Sequence, residues 1–193
     1  MLKDFITFIL TAIGLIIAGF GLSTWRRQIK GTKEFEAFYN LNYSLLKLKK
    51  AIKYVRNPAI WPSEEYKAIQ YAKNKYGDDI DKDKLKNDPT GYVYEMRWEK
   101  ISDAYSEMES HLLAVQVLWG SEILEKIKPI DKKIKELNIA LRQNFGPLEL
   151  KTKENGDIRE IIYDMSGEED DNFSNDIKEV INDIYNYLKQ KID

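Results

Sequence analysis

The chain has 193 residues, no cysteine and a formal net charge of −2. It therefore cannot build a disulfide, a thiolate metal site or a cysteine nucleophile, while 32% charged and 12% aromatic residues suit a folded, water-facing domain better than a disordered tail. The small net charge hides a division, because residues 25–56 hold nine Lys/Arg against two acids and the remainder is acidic.

Residues Phe5 to Thr24 read FITFILTAIGLIIAGFGLST, 20 residues without a charge. At about 1.5 Å per residue this covers roughly 30 Å, the depth of a bilayer's hydrocarbon core. The segment predicts a transmembrane helix over 5–24, preceded by a short extracytoplasmic N-terminus at 1–4. Trp25 follows where an amphipathic ring suits the headgroup level, and Arg26, Arg27, Lys30 and Lys33 come before the first acid on that side, Glu34. These residues make 25–34 a basic juxtamembrane segment. The positive-inside rule then puts 35–193 in the cytoplasm. A cleaved secretory signal is the competing reading, but its core would be too long, its n-region nearly neutral and its exit, GFGLSTWRR, unlike a cleavage site. Thr11, Gly14, Ala18 and Gly21 are spaced 3, 4 and 3, which lines small residues along one helix face and allows a second helix to approach. The alternative is that glycine is simply frequent in membrane helices.

From Thr32 to Arg56 there is no proline, and Phe38, Leu41, Leu45, Leu48, Ile52 and Val55 form an apolar seam. This predicts a helix ending at Asn57-Pro58. Gly31 is the only weak point between anchor and seam, so the two are expected to join with at most a bend. Ser63-Glu64-Glu65 predicts a helix start with Ser63 as N-cap, running to about Tyr76. Gly77 to Pro89 reads as a polar loop. Within it Asp79-Ile80-Asp81-Lys82-Asp83 begins as a calcium loop does, but Lys84 and Thr90 stand where glycine and glutamate are needed. That segment, like the acidic run Glu168 to Asp171, reads as solvated chain.

Tyr94, Trp98, Ile101, Tyr105, Met108, Leu112, Val115 and Trp119 predict a long helix to about Lys126. A kink or new helix after Pro129 should then carry Ile130, Ile134, Leu137 and Leu141 to Asn144. Ile158 to Tyr163 read as a short strand or part of a β-hairpin near 150–165. Asn172 or Ser174 starts a last helix with Phe173, Ile177, Val180, Ile184 and Leu188 as its seam. The expected fold is mainly all-α: a transmembrane helix plus a cytoplasmic antiparallel helical bundle. Intermolecular coiled coils are the other use of such seams.

Glu95, Glu99, Asp103 and Glu107 precede His111 at four-residue intervals. A carboxylate-bridged metal pair would need Glu-x-x-His on two helices, and here position 108 is Met and His111 is the only histidine. The ladder reads as an exposed acidic face, set against a basic face of Lys49, Lys53 and Arg56 on the first domain helix. Exposed pairs of this kind contribute about 0.2 to 1 kcal/mol each and would set register more than stability. There is no phosphate-binding glycine loop, no dinucleotide fingerprint and no nucleophile elbow. No catalytic, metal-binding or cofactor-binding residue is assigned. The basic segment with Tyr39, Tyr43 and Tyr54 favours anionic lipid headgroups over nucleic acid.

At STWRRQIKGTKEFE, followed by a helix ending in IKYVRNP, the chain resembles a group of uncharacterised bacterial single-pass membrane proteins with a Trp-Arg-Arg-Gln-x-Lys-Gly segment after the membrane helix. The likeness covers Ser23 to Pro58 and matches Trp25, Arg26, Arg27, Gln28, Lys30 and Gly31. It implies a bacterial inner-membrane location and brings no catalytic residue. The expectation is a non-enzymatic, membrane-tethered interaction or scaffold module. Its expected partners are anionic headgroups, an unidentified protein and further copies of the chain. An oligomerising membrane effector of a defence or toxin-like system is the alternative, and an enzyme with a site scattered over several helices comes third.

Overall fold

The computed structural model describes residues 2–77, 80, 82–145, 155–164 and 171–192. Helix α1, Leu2–Val55, is one helix of 54 residues, about 80 Å long. It runs through Gly31 without interruption. Its N-terminal half is long and apolar enough to cross a membrane, and none of its most apolar window is buried. From Ala37 onward the character changes: Ala37, Leu41, Leu45, Leu48, Ile52 and Val55 recur every three or four residues and are all buried. Pro58, which disfavours helical geometry at Asn57, stops the helix close to where the sequence predicts.

Helix α2, Pro62–Tyr76, starts one residue before the expected cap. Trp61 is the N-cap and Pro62 takes the first helical position, where the missing N–H costs nothing, so Ser63 lies inside the helix. The expected loop 77–89 contains a short helix, α3 (Lys82–Asn87). Two apolar residues in a polar stretch explain it: Ile80 and Leu85 bury themselves against Ala72 of α2. Asp79 and Asp81 of the calcium-like run lie outside the described residues.

Helix α4, Thr90–Trp119, is followed after only Gly120 and Ser121 by α5, Glu122–Phe145. This corrects the expected continuation to Lys126 with a break at Pro129. Gly120 has φ 85° and ψ −176°, a region open essentially to glycine alone. Pro129 sits within α5 on its exposed side. The carbonyl it leaves unbonded belongs to exposed Glu125, where water can satisfy it.

Helix α6, Asn155–Ile162, replaces the expected strand over Ile158 to Tyr163. Ile158, Ile161 and Ile162 share one helical face, and Ile162 is fully buried. The rest of the hairpin expectation, at 150–154 and 165, lies outside the described residues, among which there is no strand. Helix α7, Asn172–Ile192, is capped by Asp171, whose Oδ1 accepts the Ser174 N–H at 3.0 Å. The helix starts at Asn172, one of the two starts that the sequence offers.

The second half of α1 packs on α4 and α7, and α5 packs on the same two helices. Each neighbouring pair runs antiparallel. Lys47 meets Glu107 while Arg97, ten residues earlier on α4, reaches Asn57 just past the end of α1. Tyr94 stacks on Phe145 at 4.2 Å and Tyr105 donates to Asp131. Lys133 pairs with Asp176 while Tyr187 donates to Glu122. Phe38 meets Tyr185 while Arg56 meets Asp171. Between them lie Leu41, Leu45, Leu48, Ile101, Met108, Ile130, Leu137 and Ile184, all at most 1% exposed. Each such side chain contributes about 1.5 to 3 kcal/mol by leaving water. Helix α2 covers α4, and α6 covers the end of α5 and α7 remote from the apolar half of α1.

Candidate functional site

Two arginines at that remote end are almost wholly buried, each 1% exposed. Arg56 follows the last turn of α1 and holds the α6–α7 region. Its Nε donates to the Ile161 carbonyl at 2.7 Å, and its Nη2 donates to the carbonyls of Glu160 and Tyr163, each at 2.7 Å. Its two Nη atoms also meet the Asp171 carboxylate at 3.2 and 3.0 Å, and Nη1 donates to Ser174 Oγ at 2.6 Å. The guanidinium lies over the Phe173 ring at 4.6 Å. Asp171 therefore caps α7 and neutralises Arg56 at once. Burial alone would raise its carboxyl, but the hydrogen bonds from Arg56 and Ser174 outweigh that and hold it below the ordinary carboxylate range.

Arg97 does the same for the α1–α2 connection. It reaches Glu64 through Nε at 2.8 Å and Nη2 at 2.7 Å, and it donates to the Ala59 carbonyl at 2.6 Å and to the Asn57 carbonyl. Tyr54 and Tyr94 flank its guanidinium at 5.3 and 5.4 Å, and the Tyr54 hydroxyl donates to Glu64 at 2.7 Å. The Arg97 bonds hold Glu64 below its usual value. Both guanidinium groups spend their donors on the protein itself, which makes them clamps on chain connections and leaves little to offer an anion.

The expected pairing of Lys49, Lys53 and Arg56 with Glu95, Glu99 and Asp103 is not formed. Arg56 lies four residues after Ile52 and so continues the buried seam. Lys53 pairs with Asp164 at 3.8 Å. Helix α2 covers the acidic ladder instead: Lys75 meets Glu95 at 3.0 Å and Glu99 at 3.9 Å, Tyr71 donates to Glu99 at 2.6 Å and Tyr76 donates to Glu95. The pair that does join α1 to α4 is Lys47 with Glu107, and Asp103 stays exposed.

Trp25, Arg26, Arg27, Lys30 and Lys33 are all exposed along α1, with Lys30 3.6 Å from Glu34. Gly14 and Gly21 have open space where a side chain would be. Phe35, Tyr39, Tyr43 and Leu46, on the part of α1 that belongs to the domain, are 58%, 57%, 50% and 57% exposed. The Tyr39 and Tyr43 rings stack at 6.1 Å. These are large exposed side chains along one face of the domain half of α1. The sequence marks its tyrosines as possible anion contacts but does not show the face they form.

Among the described residues no three His, Asp or Glu side chains gather where a metal ion could sit. A shallow depression between α5 and α7 is lined by Pro129, Lys133, Glu136, Asp176 and Val180, and the Lys133–Asp176 pair at 2.7 Å bridges it. A second lies over the Arg97 clamp beside exposed Trp61. Burial pushes the Tyr94 and Tyr76 phenols up to about 12, so both stay neutral near pH 7. No protein-family model, no curated protein and no solved structure matches this chain.

Proposed function

We propose that the chain is a non-enzymatic interaction module tethered to the cytoplasmic face of a bacterial inner membrane. In this reading residues 5–24 of α1 span the bilayer with the N-terminus outside. Trp25 sits at the headgroup level, and Arg26, Arg27, Lys30 and Lys33 meet anionic lipid on the cytoplasmic side. The second half of α1 with α4, α5 and α7 acts as an antiparallel four-helix bundle that presents its surface to a protein partner.

One observation carries the proposal. Leu2–Val55 is a single helix whose apolar half buries nothing and whose other half lies in the domain core. Leaving some 20 apolar residues in water would oppose folding at about 25 cal/mol per Å² of exposed apolar surface, and a bilayer removes that cost. Carbonate extraction of a chain tagged at its C-terminus tests it. The full-length protein should stay with the membrane pellet, and the tag should resist protease added to intact spheroplasts. Release into the soluble fraction overturns the anchor, and cleavage from outside overturns the orientation. An oligomerising membrane effector is the second reading, favoured by the small residues Thr11, Gly14, Ala18 and Gly21 along one face of the apolar half.

A further inference from the structure

The exposed residues of α1 fall into an order that neither half shows alone. Helical geometry advances about 100° per residue. On that basis Gly14, Gly21, Trp25, Gln28, Thr32, Phe35, Tyr39, Tyr43 and Leu46 occupy one face, and every one of them is exposed. Between Phe5 and Lys49 the charged residues nearest its centre are Glu36 and Lys47, about 55° and 75° away at one edge, and Lys47 is paired with Glu107. Arg26, Arg27, Lys30 and Lys33 all lie more than about 100° from its centre, on the side where Leu41, Leu45, Leu48 and Ile52 enter the core. Thr11, Gly14, Ala18 and Gly21 line the face in the apolar half, with Leu10 and Ile17 along one side of it, and large aromatic and aliphatic residues occupy it in the domain half. The spacing Thr11, Gly14, Ala18, Gly21, Trp25, Gln28, Thr32, Phe35, Tyr39 alternates 3 and 4 throughout.

Lipid does not cover the domain part of this face. Phe35 to Leu46 lie about 15 to 32 Å along the helix axis beyond Trp25, past the headgroup layer. Whatever covers the whole face must follow the same axis through an apolar phase and out into water, and must meet small side chains first and rings afterwards. A second copy of this chain in the same orientation does both automatically, since its own α1 presents the same sequence at the same height. The segregation of the juxtamembrane bases allows it as well: two copies meeting on this face keep Arg26, Arg27, Lys30 and Lys33 turned outward.

We infer that α1 is a parallel self-association seam running from Thr11 to Leu46, with a second copy of the chain as its partner. The inference rests on the membrane reading above for the shared orientation of the copies. In it, Gly14, Ala18 and Gly21 allow close backbone approach, and Phe35, Tyr39 and Leu46 supply the packing outside the bilayer. Gln28 and Thr32 fill the short polar stretch between.

The absence of cysteine makes the seam directly measurable, because each introduced thiol is the only one present. Single variants Phe35→Cys, Tyr39→Cys and Leu46→Cys would be oxidised in native membranes, with Arg27→Cys and Lys33→Cys as exposed positions on the opposite face. A disulfide needs Cα atoms within about 7 Å, so the three seam positions should give a band of twice the chain mass at least about tenfold more efficiently than the two controls. Equal crosslinking at all five positions, none at the seam, or a product containing a different protein overturns the seam. Carbonate fractionation of the same samples separates this from the anchor. A pelleted chain without the periodic pattern sinks the seam alone. A soluble chain with the pattern sinks the anchor alone, and a soluble chain without it sinks both.

Discussion

Residues 5–24 and 37–55 belong to one helix, yet their surroundings are opposite. In the first stretch apolar residues occupy every face and none of the most apolar window is buried. In the second the buried ones keep to one face and reach 0% exposure at Leu41, Leu45 and Val55, while Tyr39, Leu46, Lys50 and Lys53 are exposed on the others. The backbone is the same in both, so the arrangement of side chains around the axis decides which solvent each half fits. An apolar stripe needs a protein neighbour on one side and water on the other, whereas an apolar cylinder needs lipid or protein all round. The comparison separates two kinds of stability, and damage to one half should leave the other standing.

The largest expected effect breaks the domain half. Arg56→Ala leaves Asp171 buried without its cation and strips the carbonyls of Glu160, Ile161 and Tyr163 of their donor. Losing one partner of a buried pair costs about 3 to 5 kcal/mol. Chemical denaturation of the detergent-solubilised protein should therefore show a lower midpoint, with membrane retention unchanged. Loss of retention instead would mean that the halves are not independent. The converse change is Ile16→Arg, which puts a charge at the middle of the apolar half at about 2.5 to 3.5 kcal/mol of insertion free energy. More of the chain should appear in the soluble fraction while the helical circular dichroism and unfolding midpoint of the domain persist.

The smallest effect sharpens the contrast through acid. Asp171 and Glu64 both lie below the ordinary carboxylate value when folded. Above that value, about 4, both are ionised in the folded and unfolded chain and their stabilisation is complete. As pH falls below it the unfolded chain takes up protons first, so stability declines toward the lowered folded values. The domain's thermal midpoint should drop between about pH 5 and pH 3, and Asp171→Asn should flatten that slope. Residues 5–24 hold no group that titrates there, so membrane retention should not follow.

How much of the molecule is legible in its sequence follows from periodicity. The seams from Leu41 to Val55, Ile101 to Val115 and Ile177 to Leu188 are legible because apolar residues at intervals of three and four mark one face of a helix and fit no strand. The apolar half is legible from composition alone. The clamps are not, because arginine reads as a surface residue. A signal does exist: Arg56 stands four after Ile52 and Arg97 four before Ile101, both in seam positions, and a charge on a buried face implies a partner. The partner of the acidic ladder is hidden because α2, a short helix of weak pattern, is what covers α4. The sequence points to Pro129 for the α4–α5 break, whereas the backbone demand lies at Gly120. Proline inside a helix loses one hydrogen bond, but the geometry at Gly120 cannot be adopted by other residues without strain.

The unbroken run of α1 through Gly31 has a mechanical consequence. If the helix crosses a bilayer as proposed, it is a shaft, and the compass bearing of the domain is locked to that of the lipid-embedded segment. A partner that turns the domain by some angle turns the buried segment with it. Adding one residue near Gly31 would set the two ends about 100° out of phase, and adding seven would return them to within about 20°. What the shaft conveys is orientation, which a flexible tether would lose.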